Sequence, residues 1–278
     1  MVADDLQVVL LGTGSPIPDP NRAGPATLVR AGGTDLLVDC GRGVLMRLAG
    51  AGVLPMSLGG LLLTHMHSDH LTDLNDVITT RWAMSFAPNP LTVVGPPGTS
   101  RLIDHTMQML EHDFGYRIAH HDDLEHPPDN HVTEVADGEV DVFPGVRVIA
   151  APTDHAPVAP TIGLRFEVGD KAVVIAGDTV PCEGLDRLCA GADVYVQTVV
   201  RPDLIEKVPS PRFQDVTDYH SSVRDAAETA ARAGVRTLVL THMVPAVMPG
   251  MEQEWIDLAT DAFDGEVVLG TDLAVIDT

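Results

Sequence analysis

Within the hexapeptide His65-Met66-His67-Ser68-Asp69-His70, four of the six side chains are able to bind a metal ion. Imidazole and carboxylate are the donors that zinc takes in catalytic sites, where one position stays open for water. The apolar run Gly60-Leu61-Leu62-Leu63-Thr64 reads as a buried strand, and residues 71–78 read as the helix that follows. The hexapeptide therefore sits on a strand-to-helix turn. Alternation puts His65 and His67 on one side of the extended segment, while Asp69 and His70 come from the turn, so the two pairs can address adjacent sites. Three distant residues of ligand type, His155, Asp178 and His242, bring the candidate donors to seven. The remaining cluster of His105, His112, His120, His121, His126 and His131 reads as packed or surface histidine rather than a further site.

Strands must carry these donors to one place. The first is expected at residues 7–11, entering Gly12-Thr13-Gly14, with two more apolar runs at 26–30 and 35–39 making a hairpin-like start. Helix 44–51, strand 61–64, helix 71–82, strand 91–94 and helix 99–111 follow in alternation. Residues 115–138, with paired prolines and many charges, read as an irregular connection. A second half begins near Val146: strands 146–151, 161–167 and 172–176, helix 185–189, strand 194–199, helix 221–233, strand 237–241, helix 252–262 and strand 266–269. Leu61-Leu62-Leu63-Thr64-His65-Met66 is echoed by Leu238-Val239-Leu240-Thr241-His242-Met243, a weak internal repeat in which each half ends a strand on histidine. The expected class is α/β, two facing sheets with helices outside, in one domain over residues 1–278.

Composition bounds the partners. The 278 residues carry 17 Lys plus Arg against 40 Asp plus Glu, a formal net charge of -23, and 45% are hydrophobic. A nucleic-acid surface normally needs a basic footprint, so the whole-chain charge argues against extensive RNA contact. Two divalent ions held by two aspartates and a hydroxide would still leave about one net positive charge for an anion. The start Met1-Val2-Ala3-Asp4-Asp5-Leu6 has no signal-peptide pattern, and no apolar run approaches the roughly 18 residues of a span, so a soluble cytoplasmic protein without membrane contact is expected. Cys40, Cys182 and Cys189 lack a CxxC pair and read as reduced structural residues. Gly12-Thr13-Gly14 lacks the third glycine of a dinucleotide fingerprint and reads as a tight turn. Asp39 is either a carboxylate orienting a metal histidine or a turn residue. Arg81 and Trp82 are expected to pack at the rim.

The order His65, His67, Asp69, His70, His155, Asp178, His242 resembles the binuclear hydrolases of the metallo-beta-lactamase superfamily, whose fold is an αββα sandwich of two pseudo-repeated halves. Within it the chain is similar to the ribonuclease Z group, the tRNA 3' endonucleases and their phosphodiesterase relatives. The segments that match are Leu11-Gly12-Thr13-Gly14-Ser15-Pro16, Val38-Asp39-Cys40-Gly41, Thr64 to His70, Ala176-Gly177-Asp178-Thr179, His220-Ser221-Ser222-Val223 and Leu240-Thr241-His242.

That resemblance implies that His65, His67 and His155 hold one divalent metal, Asp69, His70 and His242 a second, and that Asp178 bridges them. Zinc is the expected ion; with no cysteine ligand, manganese and iron stay open. A metal-bridging hydroxide would attack a phosphodiester, Asp69 would position it, and His220 would protonate the leaving group or stabilise transition-state charge. Members of the group are often dimers, so a homodimer is implied by resemblance alone. Two departures stand out. Where the group carries His-Glu-Ala-Thr this chain has Val196-Gln197-Thr198-Val199, without the acidic relay member, and the short stretch between His155 and Asp178 has no room for a tRNA-binding arm. Together with the acidic charge they disfavour tRNA and point to a phosphodiester or other small anionic substrate. Two other readings remain: a hydrolase of the same fold acting on carboxylic esters, lactones, beta-lactams or aryl sulfates, and a catalytically idle metal-binding module.

Overall fold

A computed structural model describes residues 6–278, so the reading of the chain start falls largely on residues 1–5, outside the described part. Alternation decides the layers. In β1 (Leu6–Gly12), Val8 and Leu10 enter one buried cluster while Val9 and Leu11 enter another, as period-two side chains must where both faces of a strand are covered. Beside β1 lie β2 (Ala26–Ala31), β3 (Thr34–Val38), β4 (Gly60–Leu62), β5 (Leu91–Gly95) and β6 (Asn130–Glu134). The facing sheet contains β7 (Gly138–Val140), β8 (Arg147–Pro152), β9 (Ile162–Val168), β10 (Lys171–Ile175), β11 (Val194–Val200), β12 (Thr237–Val244) and β13 (Glu266–Leu269). The last strand, β14 (Val275–Asp277), returns to the first sheet, antiparallel to β1.

Each sheet has seven strands, in the orders β14-β1-β2-β3-β4-β5-β6 and β13-β12-β11-β10-β9-β8-β7. Each begins with antiparallel strands and continues in parallel ones, from β3 in the first and from β10 in the second. Parallel neighbours need crossovers, which helices supply. The first half uses α1 (Val44–Gly50), α2 (Ser68–Leu71), α3 (Leu74–Ala83), α4 (Thr99–Met109) and α5 (Glu111–His120). The second uses α6 (Glu183–Cys189), the short α7 (Pro202–Ile205) and α8 (Pro211–Gln214), then α9 (Val223–Ala233) and α10 (Glu252–Thr260). Helix α9 starts on a capping box between Ser222 and Asp225 and stops at Gly234 in the left-handed conformation.

Three cores follow. Leu10, Val29, Val38 and Leu62 of the first sheet meet Val148, Leu164, Phe166 and Val196 of the second. Outside the first sheet, Leu11, Leu37 and Val93 pack on Leu48, Val77 and Ile103. Outside the second, Val174, Tyr195 and Leu238 pack on Leu185, Ala227 and Trp255. The αββα sandwich expected from the sequence is the observed one. Among the described residues no helix is long and apolar enough to cross a membrane.

Some boundaries differ from the sequence reading. The helix expected over 71–82 is two pieces, because Asp73 leaves the helical path: its N–H donates to the Cys40 carbonyl at 2.9 Å and its carboxylate accepts from Gly43 N–H at 2.8 Å. Asp69 and His70 consequently lie inside the turn of α2 rather than ahead of a helix. Residues 115–138 are not wholly irregular. Helix α5 runs to His120, steadied by Arg117 on Asp113 at 2.8 Å and by Phe114 against Trp82, and β6 adds an edge strand parallel to β5. The strand placed at 237–241 extends to Val244.

One carboxylate fastens the chain's end to its beginning. Asp272 accepts from Thr13 N–H (3.0 Å), Thr13 Oγ1 (2.8 Å), Ala23 N–H (2.7 Å) and Arg47 Nε (2.9 Å), which fixes the Gly12-Thr13-Gly14 turn as a packing feature. Losing a nearly buried carboxylate strands several donors at once. Asp272→Ala is expected to lower unfolding free energy by roughly 2–4 kcal/mol, measured by urea titration. Asp277→Ala, which removes only an exposed bond to Gln7, should stay within about 0.5 kcal/mol of the parent.

Candidate metal centre

All seven candidate donors come from loops, strand ends and the short α2, whose N-cap is His67, at one edge where the sheets meet. His65 follows β4, Asp69 and His70 lie in α2, His155 sits between β8 and β9, Asp178 follows β10, and His242 is in β12. Open α/β sheets place sites at such carboxyl ends. Two local distortions aim the donors. Thr198 and Val200 of β11 pair with Thr241 and Val244, so β12 carries one extra residue there, and His242 within that bulge has φ 52°. A bulge re-aims a side chain at the cost of a paired backbone position. Asp39, just after β3, has φ 58°; aspartate and histidine tolerate this left-handed region better than most residues.

Asp178 is the hub. Its Oδ2 lies 3.6 Å from His65 Nε2, 3.4 Å from His70 Nε2, 3.8 Å from His155 Nε2, 3.3 Å from His220 Nε2 and 3.8 Å from His242 Nε2. Asp69 Oδ2 lies 3.2 Å from His242 Nε2 and 3.6 Å from His70 Nε2, and His67 Nδ1 is 3.2 Å from His155 Nε2. Ligand atoms gather, within 4.8 Å of one another, as His65, His67, His155 and Asp178; as Asp69, His70 and His242; and as Asp178, His220 and His242. The first group is the expected set of His65, His67 and His155 joined by Asp178, and the second is the expected set of Asp69, His70 and His242; Asp178, expected to bridge both, gathers with the first set and with His220 and His242. The exposed His105, His112, His120, His121, His126 and His131 join none of them.

The outer partners settle which imidazole nitrogen faces inward. Asp39 accepts from His70 Nδ1 (2.8 Å), Thr64 N–H (2.8 Å) and Thr64 Oγ1 (2.8 Å), and Thr64 Oγ1 in turn accepts from His65 Nδ1 at 3.0 Å. The Tyr219 carbonyl accepts from His155 Nδ1 at 2.7 Å, and the Val216 carbonyl from His220 Nδ1 at 3.0 Å. With Nδ1 donating outward, each of these rings turns its Nε2 toward Asp178, the arrangement a metal-binding histidine requires. Of the two roles left open for Asp39, the carboxylate that orients a histidine is the observed one. His65 Nε2, His70 Nε2, Asp178 Oδ1 and His242 Nδ1 are buried without a hydrogen-bond partner. Orphan polar atoms are rare in protein interiors, and their concentration here fits a site built for a divalent cation.

The electrostatics agree. Burial works against ionisation of Asp178, yet the charges of His242 and His70 outweigh it and hold the carboxyl well below its usual range. Burial likewise opposes Asp69, but its bond to His242 and the charge of His70 bring it to about 2. Burial pushes His65 well down and His155 to about 4, so both present neutral imidazole. For His70, burial is overcome by Asp178 and Asp39, which raise its proton affinity. A metal ion would take the place of that proton, since metal binding and proton release are coupled.

The halves are stitched beneath the hub. Thr198 Oγ1 donates to the Gly177 carbonyl at 3.0 Å, Ile162 N–H donates to the Thr64 carbonyl at 3.0 Å, and Gly177 has φ 68°. A Cβ at Gly177 would lie 2.8 Å from Thr64 Cβ, so only glycine lets the turn carrying Asp178 approach the strand carrying His65. Gln197, at the place of the missing relay acid, binds the Tyr195 hydroxyl and the Thr198 carbonyl. His220 is oriented by the Val216 carbonyl instead. Arg81 and Trp82 are spent on packing: Arg81 donates to the Pro55 and Leu58 carbonyls and Trp82 to the His126 carbonyl. They border a cleft of about 670 Å3 that contains none of the seven donors.

Residues 34–243, spanning every donor, match the family model described as the beta-lactamase superfamily domain. A ribonuclease Z of Mycolicibacterium paratuberculosis is 59% identical over 270 residues, 96% of each chain. The chain belongs to the ribonuclease Z family. Matched coverage of both chains means that this relative, like the present protein, has no room for a long added arm. Among solved structures, the metallo-beta-lactamase fold protein YhfI of Bacillus subtilis gives a TM-score of 0.75 at 21% identity, covering 99% of this chain and 100% of its own. Human tRNase Z, short form, gives 0.72 at 23% identity, covering 97% and 98%. At these identities the likeness is one of fold.

Asp39 lies behind the candidate donors and reaches them through His70 and Thr64. Asp39→Asn keeps the shape and the left-handed backbone but removes the charge that polarises His70. Affinity for zinc, measured by competition with a chromogenic chelator, is expected to fall by about 10- to 100-fold, and the unfolding temperature should fall with it, because the amide NH2 must face a donor that Asp39 accepts from.

Proposed function

We propose that this protein is a metal-dependent ribonuclease that hydrolyses RNA phosphodiesters, with residues 1–278 forming one catalytic domain. His65, His67 and His155 would hold one divalent ion, Asp69, His70 and His242 a second, and Asp178 would lie between them; zinc is the ion that imidazole and carboxylate donors favour. Two such ions supply an activated water and neutralise charge on the reacting phosphoryl group. The chain's own residues do the rest. Asp69, held ionised by His242 and His70, would orient the nucleophile.

His220 carries the phosphodiester reading. It complements the donor groups without being needed to complete either, its Nδ1 proton is fixed on the Val216 carbonyl, and its Nε2 lies 3.3 Å from Asp178 Oδ2. An imidazole held this way can give a proton to a departing alkoxide or stabilise charge on the phosphoryl oxygens. The family supports RNA as substrate, and the relative named ribonuclease Z, of matching length, weighs against reading the missing arm as a bar to tRNA. No observation favours carboxylic esters, lactones, beta-lactams or aryl sulfates. A cytoplasmic setting accords with an RNA substrate and with Cys40, Cys182 and Cys189, which are free thiols.

Zinc- and manganese-reconstituted protein is expected to cleave a 3'-extended tRNA and bis(p-nitrophenyl) phosphate in preference to p-nitrophenyl acetate, and chelation should abolish both activities. His220→Ala should bind the parent's full complement of metal while turnover falls by about 100- to 10,000-fold. Asp69→Ala should lose turnover together with metal. A faster rate on the acetate would sink the ribonuclease reading, and loss of one metal equivalent from His220→Ala would make His220 a ligand instead.

A further inference from the structure

Tyr219 occupies a position that the chemistry above does not use. It follows the 3-10 turn Asp215–Asp218, and its carbonyl receives the His155 Nδ1 proton. Its half-buried ring packs edge-on to His155, with centroids 5.2 Å apart, and tilted against His220 at 4.8 Å. Among the described residues it is the one Tyr, Phe or Trp ring that touches imidazoles of the centre. The ring thus borders both His155, of the first donor group, and His220, the group assigned to the leaving-group proton.

We propose that Tyr219 stacks on the nucleobase next to the scissile phosphodiester and makes the enzyme select nucleotide esters over phosphodiesters without a base; this rests on the ribonuclease reading. An observation and a general property of bases support it. Asp215 and Asp218 place negative charge directly before the ring, with Arg212 and Lys207 further back along the segment, so charge gives this rim little hold on further phosphates. Base stacking on an aromatic ring needs no positive charge and accepts any base, since every base presents a π face. The main-chain carbonyl that orients His155 is separate from the ring, so the ring can be changed while the imidazole keeps its partner.

The p-nitrophenyl esters of adenosine 5'-phosphate and of methyl riboside 5-phosphate differ only in the base and share a leaving group. With the zinc-loaded protein, the adenosine ester is expected to have the lower KM. Tyr219→Leu should raise that KM by about 5- to 100-fold, toward the value for the baseless ester, and by more than any change it causes on the baseless ester; Tyr219→Phe and Tyr219→Trp should behave as the parent. Equal KM values for the two esters in the parent would overturn the stacking role alone. Equal losses on both esters in Tyr219→Leu would do so too, because they would make the ring a packing support for His155 and His220. If the parent hydrolyses neither ester, the ribonuclease reading and the stacking role fall together.

Discussion

A fully enclosed carboxylate that no lysine or arginine answers is the constraint around which this protein is arranged. Asp178 meets only imidazoles, and the same holds for the ion pairs of Asp39 and Asp69 among the described residues. Isolated buried carboxylates are costly, and partial protonation of a ring such as His70 is a weak remedy compared with a divalent cation. The sandwich brings the ends of β4, β10 and β12 to one edge, and the bulge in β12 and the left-handed turn at Asp39 aim what those ends carry. Each is a local departure from ideal backbone, stored at the place where a cation would compensate for it.

Outside that edge the fold obeys ordinary rules, which is why much of it is legible in the sequence. Near-continuous apolar runs in β1, β11 and β12 mark strands buried on both faces, and the capping box at Ser222 marks the start of α9. Elements that escaped the reading lack such signals. Strand β14 has three residues and pairs with a strand about as far away along the chain as possible, so nothing local announces it. Strand β6, Asn-His-Val-Thr-Glu, lies at a sheet edge where polar residues are tolerated, and α5 contains Gly115. The break before α3 depends on Asp73 serving Gly43 and Cys40, a tertiary contact that no helical period contains.

The site divides in the same way. Four donors in one hexapeptide are visible by type and spacing, whereas His155, Asp178 and His242 gain meaning only from their order in a family pattern. The orienting partners are of two kinds. Asp39 and Thr64 are side chains beside strand ends, and the repeated Leu-Thr-His around His65 and His242 hints at a role for the threonine. The carbonyls of Val216 and Tyr219 belong to no residue type, so the replacement of a relay acid by a main-chain acceptor behind His220 becomes apparent only in three dimensions.

How a chain of net charge -23 would engage a polyanion follows from where its cations are used. Arg81 is consumed by main-chain carbonyls, Arg47 by Asp272, Arg165 by Glu167 and Arg201 by Asp203. These four are clasps within the fold, which leaves scattered exposed cations such as Arg42, Arg101, Lys207 and Arg212 to meet phosphates and limits what counterion release can contribute. Attraction must then be concentrated at the metal centre, where divalent charge is buried among neutral imidazoles and is less screened by salt than any surface patch. Such a site holds one phosphodiester firmly and the rest of the nucleic acid weakly. Neutral contacts beside the scissile bond therefore decide which phosphodiester is chosen, and the aromatic ring of Tyr219 is the neutral surface that the fold places there.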